Sequence, residues 1–317
     1  NVSRFAALAE RPLEGSVDLS VSGTAEALSG AFDLAISGTG RDLHVDDAVP
    51  DEIFAGETVL SAQVTRDATG VTLRDLNLEN AELSLTGEAD VSSQEVTATT
   101  RFQLRDVGLV TDVMSGPVTI SADVARVEDA PFDVSANLSG PNAIRATIDG
   151  QFDAETADFS LTLDASADSL NLGDAVPPQL FDGPTTVSAV AVREDGVIDV
   201  SATLSGPNAI RATIDGQFNA ETTDFSLTLD GSADSLNLGD ALPPQLFAGR
   251  TTISAAAVRE DGVLTVSDFA IAGPELQVTG DARIAPDRSR ADISARLANV
   301  GIFTDALSGP VSGTGRG

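Results

Sequence analysis

The stretch Thr185–Phe218, TTVSAVAVREDGVIDVSATLSGPNAIRATIDGQF, decides the fold. Thr185, Val187, Ala189 and Ala191 alternate with Thr186, Ser188, Val190 and Val192. Arg193-Glu194-Asp195-Gly196 then supplies a turn, with Gly available for a positive φ. Ile198, Val200, Ala202 and Leu204 alternate with Asp199, Ser201 and Thr203, and Gly206-Pro207-Asn208 turns the chain again. Ile210, Ala212, Ile214 and Phe218 follow in the same rhythm, and Phe225, Leu227 and Leu229 continue it beyond Asn219-Ala220-Glu221-Thr222. Period-two alternation marks strands with one apolar and one polar face. Turns this short join antiparallel neighbours. A fifth short strand through Leu236 and Leu238 is expected after these four.

The stretch belongs to a repeat. Residues 135–197 align without gaps on 201–263 at a shift of 66, with 54 of the 63 pairs identical. Weaker copies share a short apolar segment ending in Gly, followed by a strand: IFAGETVLSAQVTR (53–66), VMSGPVTISADVAR (113–126), LFDGPTTVSAVAVR (180–193) and LFAGRTTISAAAVR (246–259). The landmark glycines are Gly15, Gly56, Gly116, Gly183, Gly249 and Gly309, spaced by 41, 60, 67, 66 and 60. The first spacing fits a unit that has lost a hairpin. One continuous array over 1–317 is expected, with units at 15–56, 56–116, 116–183, 183–249 and 249–309 and partial ones at 1–15 and 309–317. An array interrupted so early in its last unit is expected to continue beyond this sequence.

Between units lie connectors such as Asp240-Ala241-Leu242-Pro243-Pro244-Gln245-Leu246-Phe247-Ala248-Gly249. The prolines reject a central strand and suit the first turn of a short helix, and the closing Gly suits the left-handed position after it. The connectors Thr111–Gly116 and Thr304–Gly309 begin instead on a Thr able to cap such a turn. A helical turn capping one edge or mouth of the sheet is expected.

Composition narrows function. The chain has 18 basic and 49 acidic residues, a net −31, and every basic residue is Arg. Such a chain cannot neutralise phosphate backbones, which argues against nucleic acid as a partner. Cys, Trp and Tyr are absent and His44 is the single histidine. Disulfides, thiol catalysis and thiolate metal sites are therefore excluded, and little material remains for acid–base chemistry near neutrality. His44 lies in Asp42-Leu43-His44-Val45-Asp46-Asp47, where other copies carry Asn171 and Asn237, so a surface position is favoured over a ligand or base. Turns such as Glu194-Asp195-Gly196 and Glu260-Asp261-Gly262 lack the EF-hand spacing and the β-roll nonapeptide, which favours solvated hairpin tips over a metal site. The SGTG runs at 37–40 and 312–315 lack the Lys and helix of a phosphate loop and are expected at strand ends. Near-identical consecutive units cannot hold a unique catalytic constellation, so no enzyme is expected. What repetition provides is a continuous surface.

GSVDLSVSGT (15–24), connectors of the type DSLNLGDALPPQLFAG (234–249), units of 60 to 67 residues and the acidic, Cys-free, Lys-free composition carry a resemblance. Over its whole length the chain resembles the TamB family, the inner-membrane-anchored subunits of the bacterial translocation and assembly module within the AsmA-like group. The resemblance implies an all-β fold, an elongated antiparallel sheet array curled into a taco-like hydrophobic trough with short helical connectors. It implies a location in the periplasm of a Gram-negative bacterium, with an inner-membrane anchor outside this sequence. It implies conduction of phospholipid acyl chains between the two membranes, assistance to outer-membrane protein and autotransporter assembly, or both. Partners would be phospholipid acyl chains, an outer-membrane barrel of the TamA type and nascent outer-membrane proteins, with no cofactor.

Residues expected to line such a groove are the apolar alternates. In the first half they are Leu60, Leu73, Leu83, Leu85, Phe102, Ile120, Ile144, Ile148 and Phe152. Further on come Phe159, Leu161, Leu163, Val187, Ile198, Val200 and Leu204, and then Ile210, Ile214, Phe218, Phe225, Leu227, Leu229 and Ile253. The same pattern also suits a dry sandwich core, as in an extracellular repeat adhesin or structural surface protein, because both arrangements bury one face.

Overall fold

Every alternating segment described forms a strand, and within each half of the chain each strand pairs antiparallel with the next. The computed structural model describes residues 14–44, 51–111, 113–171, 177–236, 242–303 and 307–317. The fold is all-β with short 3-10 connectors, as the sequence leads one to expect. The chain divides into two units, Asn1–Ala154 and Glu155–Gly317, and the division falls inside the repeat that runs from Gly116 to Gly183.

The first unit holds β1 (Glu14–Ala25), β2 (Phe32–His44), β3 (Glu57–Arg66), β4 (Gly70–Glu79) and β5 (Leu83–Ser92). It continues with β6 (Glu95–Leu104), β7 (Val118–Val127), β8 (Phe132–Ser139) and β9 (Arg145–Phe152). The shortened repeat between Gly15 and Gly56 has two strands in place of four, so a hairpin is what it lacks.

The second unit holds β10 (Phe159–Ala167), β11 (Thr185–Glu194), β12 (Val197–Ser205), β13 (Arg211–Asn219) and β14 (Phe225–Asp234). After these come β15 (Arg250–Glu260), β16 (Val263–Ala272), β17 (Leu276–Ile284), β18 (Ser289–Leu297) and β19 (Val311–Arg316). Each full repeat thus has four strands. The expected fifth does not form at Leu236, which follows β14 as irregular chain, and Leu238 lies outside the described residues.

Two features differ from what the residues alone suggest. The turn between β12 and β13 is centred on Asn208-Ala209, both at positive φ (54° and 53°), and is closed by the Ile210 N–H donating to the Pro207 carbonyl at 3.0 Å. Ile210 therefore sits in the turn and not in the strand, and Ile144 does the same after Asn142-Ala143. The second difference is the SGTG run at 37–40, which lies in the interior of β2, while that at 312–315 fills β19.

The connectors fold as 3-10 turns, Asp51–Phe54, Pro178–Phe181 and Pro244–Phe247. Four residues give room for a 3-10 turn and not for an α-helix. The Gly closing each connector does take a positive φ, but beyond the left-handed helical value: 117° at Gly116 and 158° at Gly249. In the other connector class the cap is not Thr111. The 3-10 turns Val107–Leu109 and Val300–Ile302 start on Asp106 and Asn299. Asp106 Oδ1 accepts from the N–H groups of Gly116 at 2.7 Å and Gly108 at 2.9 Å. Asn299 Oδ1 repeats this with Gly309 at 3.2 Å and Gly301 at 2.9 Å. Thr111 Oγ1 accepts from the Val113 N–H at 3.3 Å, and Thr304 lies outside the described residues.

Two substitutions of opposite sign follow from the backbone. Ala209→Gly relieves a left-handed alanine and should raise stability by about 0.5–1 kcal/mol. Gly249→Ala should lower it by about 1–3 kcal/mol, because its Cβ would meet Pro274 Cγ at 2.9 Å at a φ that L residues avoid. Urea unfolding midpoints of the two variants check both signs.

The Asp106 cap also makes a pH prediction. The N–H of Gly116, and then that of Gly108, hold its carboxyl below the usual 3.8. A lowered folded value means that the stabilisation is present above the unfolded pKa and is lost as pH falls through the folded one. Asp106→Asn, copying Asn299, should keep the Gly116 amide protected from exchange at neutral pH and flatten its loss in acid. Hydrogen exchange at that amide across the acid range is the measurement.

Candidate functional site

In an antiparallel ladder, directly opposite residues share a face, so register alone assigns the faces. In the second unit one row runs Leu163–Ala189–Ala202–Ile214–Leu229–Ala255, and the next runs Leu161–Ala191–Val200–Gly216–Leu227–Ala257. Phe159, Val187, Ile198, Leu204, Phe218, Phe225 and Ile253 lie on the same face. In the first unit the row Leu60–Leu78–Leu85–Phe102–Ile120–Leu138 includes four expected lining residues. Leu73, Leu83, Ile148 and Phe152 share its face. Ile144 and Ile210 are the exceptions, being turn residues.

Two irregularities preserve this face. β4 and β16 each carry an extra residue between Leu73 and Leu76 and between Val266 and Phe269. There Asp75 and Asp268 take φ near 50° and 55°. Each is a bulge that resets the alternation, so that Leu76 and Phe269 return to the apolar side. The spacing of three between apolar residues was the sequence signal for it.

In each unit the apolar face has two unlike ends. At the end where β3, β11 and β15 begin, the connectors lie on it. Leu246 is 2 % exposed, and Phe247, Ala233 and Thr251 are buried as well. In the first unit Ile53 packs with Leu83 and Leu104, supported by Phe54, Leu78 and Phe102. Asn80 Nδ2 fastens this connector by donating to the Ile53 carbonyl at 2.9 Å and to Thr58 Oγ1 at 3.2 Å. Away from the connectors the face is open. Ile214 is 41 % exposed, Ile293 51 % and Leu19 57 %. A closed sandwich would bury all three.

At the opposite end, beside the hairpin tips, the face carries Arg66, Arg126, Arg193 and Arg259. In the sequence these arginines close the repeat motifs of residues 53–66, 113–126, 180–193 and 246–259. Their signal was a constant distance from the landmark glycines.

The polar face accounts for the acidic composition. Gln151 Nε2 donates to Asp133 at 2.9 Å, and Gln217 Nε2 donates to Asp199 at 2.6 Å in the next repeat. Thr99 donates to Asp123 at 2.8 Å. At the tips, Asp158 and Asp224 accept the N–H groups of Asp195 and Asp261, each at 3.2 Å, so these carboxylates tie neighbouring hairpin tips together. A wide depression of about 780 Å³ on the second unit is lined mainly by polar-face residues such as Ser254, Asp281, Asp292 and Thr314. His44 is the last residue of β2, half-buried and in register with Glu14.

No protein-family model, no curated protein and no solved structure matches this chain.

Proposed function

We propose that the chain is a non-enzymatic protein of the Gram-negative periplasm, of the TamB or AsmA-like kind, whose apolar faces carry phospholipid acyl chains between the two membranes. An anchor in the inner membrane and an outer-membrane barrel partner of the TamA type belong to the same proposal, as does help to nascent outer-membrane proteins. The observation that supports it is a contiguous apolar face left open between the roofed end and the arginine end of each unit. Water-exposed apolar surface of that extent marks an interaction site.

The physics favours hydrocarbon as the occupant. An acyl chain in water costs about 0.8 kcal/mol per CH₂, and a face of Ala, Val, Ile, Leu and Phe removes that cost without asking for a polar partner. Near-identical repeats present near-identical environments, so no position along a unit traps the chain. The net −31 keeps a protein with such a face dispersed and away from anionic membrane surfaces. The competing adhesin reading requires sealed sandwiches, and the exposure of Ile214, Ile293 and Leu19 speaks against it.

A paired substitution tests the proposal. Leu227→Arg places a charge in the middle of the apolar face, where the side chain can snorkel to water because nothing covers it. Ser226→Arg places the same charge on the polar face as a control. The melting temperature should move little in both, while uptake of a photoactivatable phospholipid should fall in Leu227→Arg alone. Cooperative melting of Leu227→Arg supports a sealed core, and uptake unchanged in Leu227→Arg ends the conduit reading.

A further inference from the structure

We propose that Arg66 and Arg126 in the first unit, and Arg193 and Arg259 in the second, are anion seats, one in each full repeat. Each holds the phosphate of an amphiphile whose acyl chains lie on the apolar face beside it. This rests on the conduit reading and adds a chemical class of headgroup to it.

The four arginines occupy one structural position. Each lies ten residues after a landmark Gly, since 66 − 56, 126 − 116, 193 − 183 and 259 − 249 are all ten. That distance spans the strand from its connector end to its hairpin tip, and the parity is that of the apolar residues. Arg66 faces Phe32 and Val71, Arg193 faces Phe159 and Ile198, and Arg259 faces Phe225 and Leu264. Arg126 faces Val96 and stacks on Phe132, 4.6 Å from the ring centroid. Within a unit, successive seats are four strands apart, about 19 Å.

A guanidinium on an apolar face is costly unless something occupies its donors. Among the described residues none of the four forms an ion pair, in a chain with 49 acidic residues. On the polar face Arg41 pairs with Glu57 at 3.0 Å, and Arg290 and Arg316 both reach Asp292, while Arg101, Arg145, Arg211 and Arg250 form no ion pair among the described residues. Glu194 and Glu260 follow Arg193 and Arg259 directly in their strands and so lie on the opposite face, while Asp67 follows Arg66 and Asp158 follows the Ala157 that Arg193 contacts. Arg193 spends Nη1 on the Ala157 carbonyl at 2.9 Å, and the Nε atoms of Arg193 and Arg126 are buried without an acceptor.

Arg126, Arg193 and Arg259 are half-buried, Arg126 against the Phe132 ring, while Arg66 stands exposed at the edge of the face. The planar fork of Arg matches a phosphate bidentately, which explains the choice of charge and the ring beside it. The chemistry required of the ligand is then specific: an anionic oxygen cluster joined to hydrocarbon.

The test compares dioleoyl phosphatidylglycerol with dioleoylglycerol, which has the same chains and no phosphate, and uses inorganic phosphate as a third probe. The full chain should bind the phospholipid about tenfold more tightly than the diglyceride, the value of one charge-assisted contact. Replacing all four arginines by Gln should bring that ratio to about one with diglyceride binding unchanged. Replacing them by Lys should keep part of the preference. Inorganic phosphate alone should compete only weakly.

Equal preference in the wild type and the Gln variant overturns the seats while leaving the conduit standing. Binding of neither lipid overturns the conduit itself. Tight binding of inorganic phosphate without lipid makes the ligand a soluble anion and also overturns the proposal. If the fourfold variant does not fold, the single exchange Arg193→Gln, with a photoactivatable headgroup, reads the same preference in the second unit.

Discussion

An antiparallel ladder places opposite residues on the same side, so one face stays apolar only if every turn and every strand keeps the same parity. The slip of one residue in one strand would carry its whole apolar set to the polar side. This chain keeps parity with tight turns such as Asp195-Gly196 and Asn208-Ala209, whose positive φ values suit the twist of the flanking strands. Where the sequence itself falls out of step, between Leu73 and Leu76 and between Val266 and Phe269, a bulge absorbs the extra residue.

The stability of such a structure is distributed differently from that of a globular domain. Among the described residues few side chains are fully buried, and those that are gather under the connectors. The remainder rests on ladder hydrogen bonds and cross-strand pairs, each contributing about 0.2–1 kcal/mol. On the polar side the Gln–Asp pair recurs from one repeat to the next. On the apolar side Leu, Ile and Phe meet Ala or Gly as often as each other, which keeps the surface low and even. A ligand that covered this face would add to stability by mass action, so occupancy and folding are linked.

The two ends of the apolar face impose direction on each unit. One end is roofed by Ile53 or by Leu246 and Phe247, held there by a glycine whose φ no other residue takes comfortably. The other is left open and carries the arginines. A surface that is sealed at one side, apolar in the middle and cationic at the far side has the same order of environments as an amphiphile laid across it.

Much of this was legible from the residues alone. The strands, their antiparallel order, the 66-residue repeat and the side to which Leu227, Phe225 or Val200 belongs all follow from periodicity, which is local. The turn at Asn208-Ala209 was misplaced by one step, because Pro207 and Gly206 are the louder signals while an alanine at positive φ has none. Asp106 was missed as a cap because its partners, Gly108 and Gly116, span a whole connector. The lining residues could be assigned to a face from sequence, but whether that face is covered could not. Alternation is the same for a sandwich and for an open sheet; only the arrangement of distant segments decides whether a second layer arrives, and here Ile214, Ile293 and Leu19 are left facing solvent. The alignment of the four arginines with the apolar side was likewise written in a ten-residue spacing, but it acquired meaning only when register set Arg66, Arg193 and Arg259 opposite a phenylalanine and the fold stacked Arg126 on Phe132.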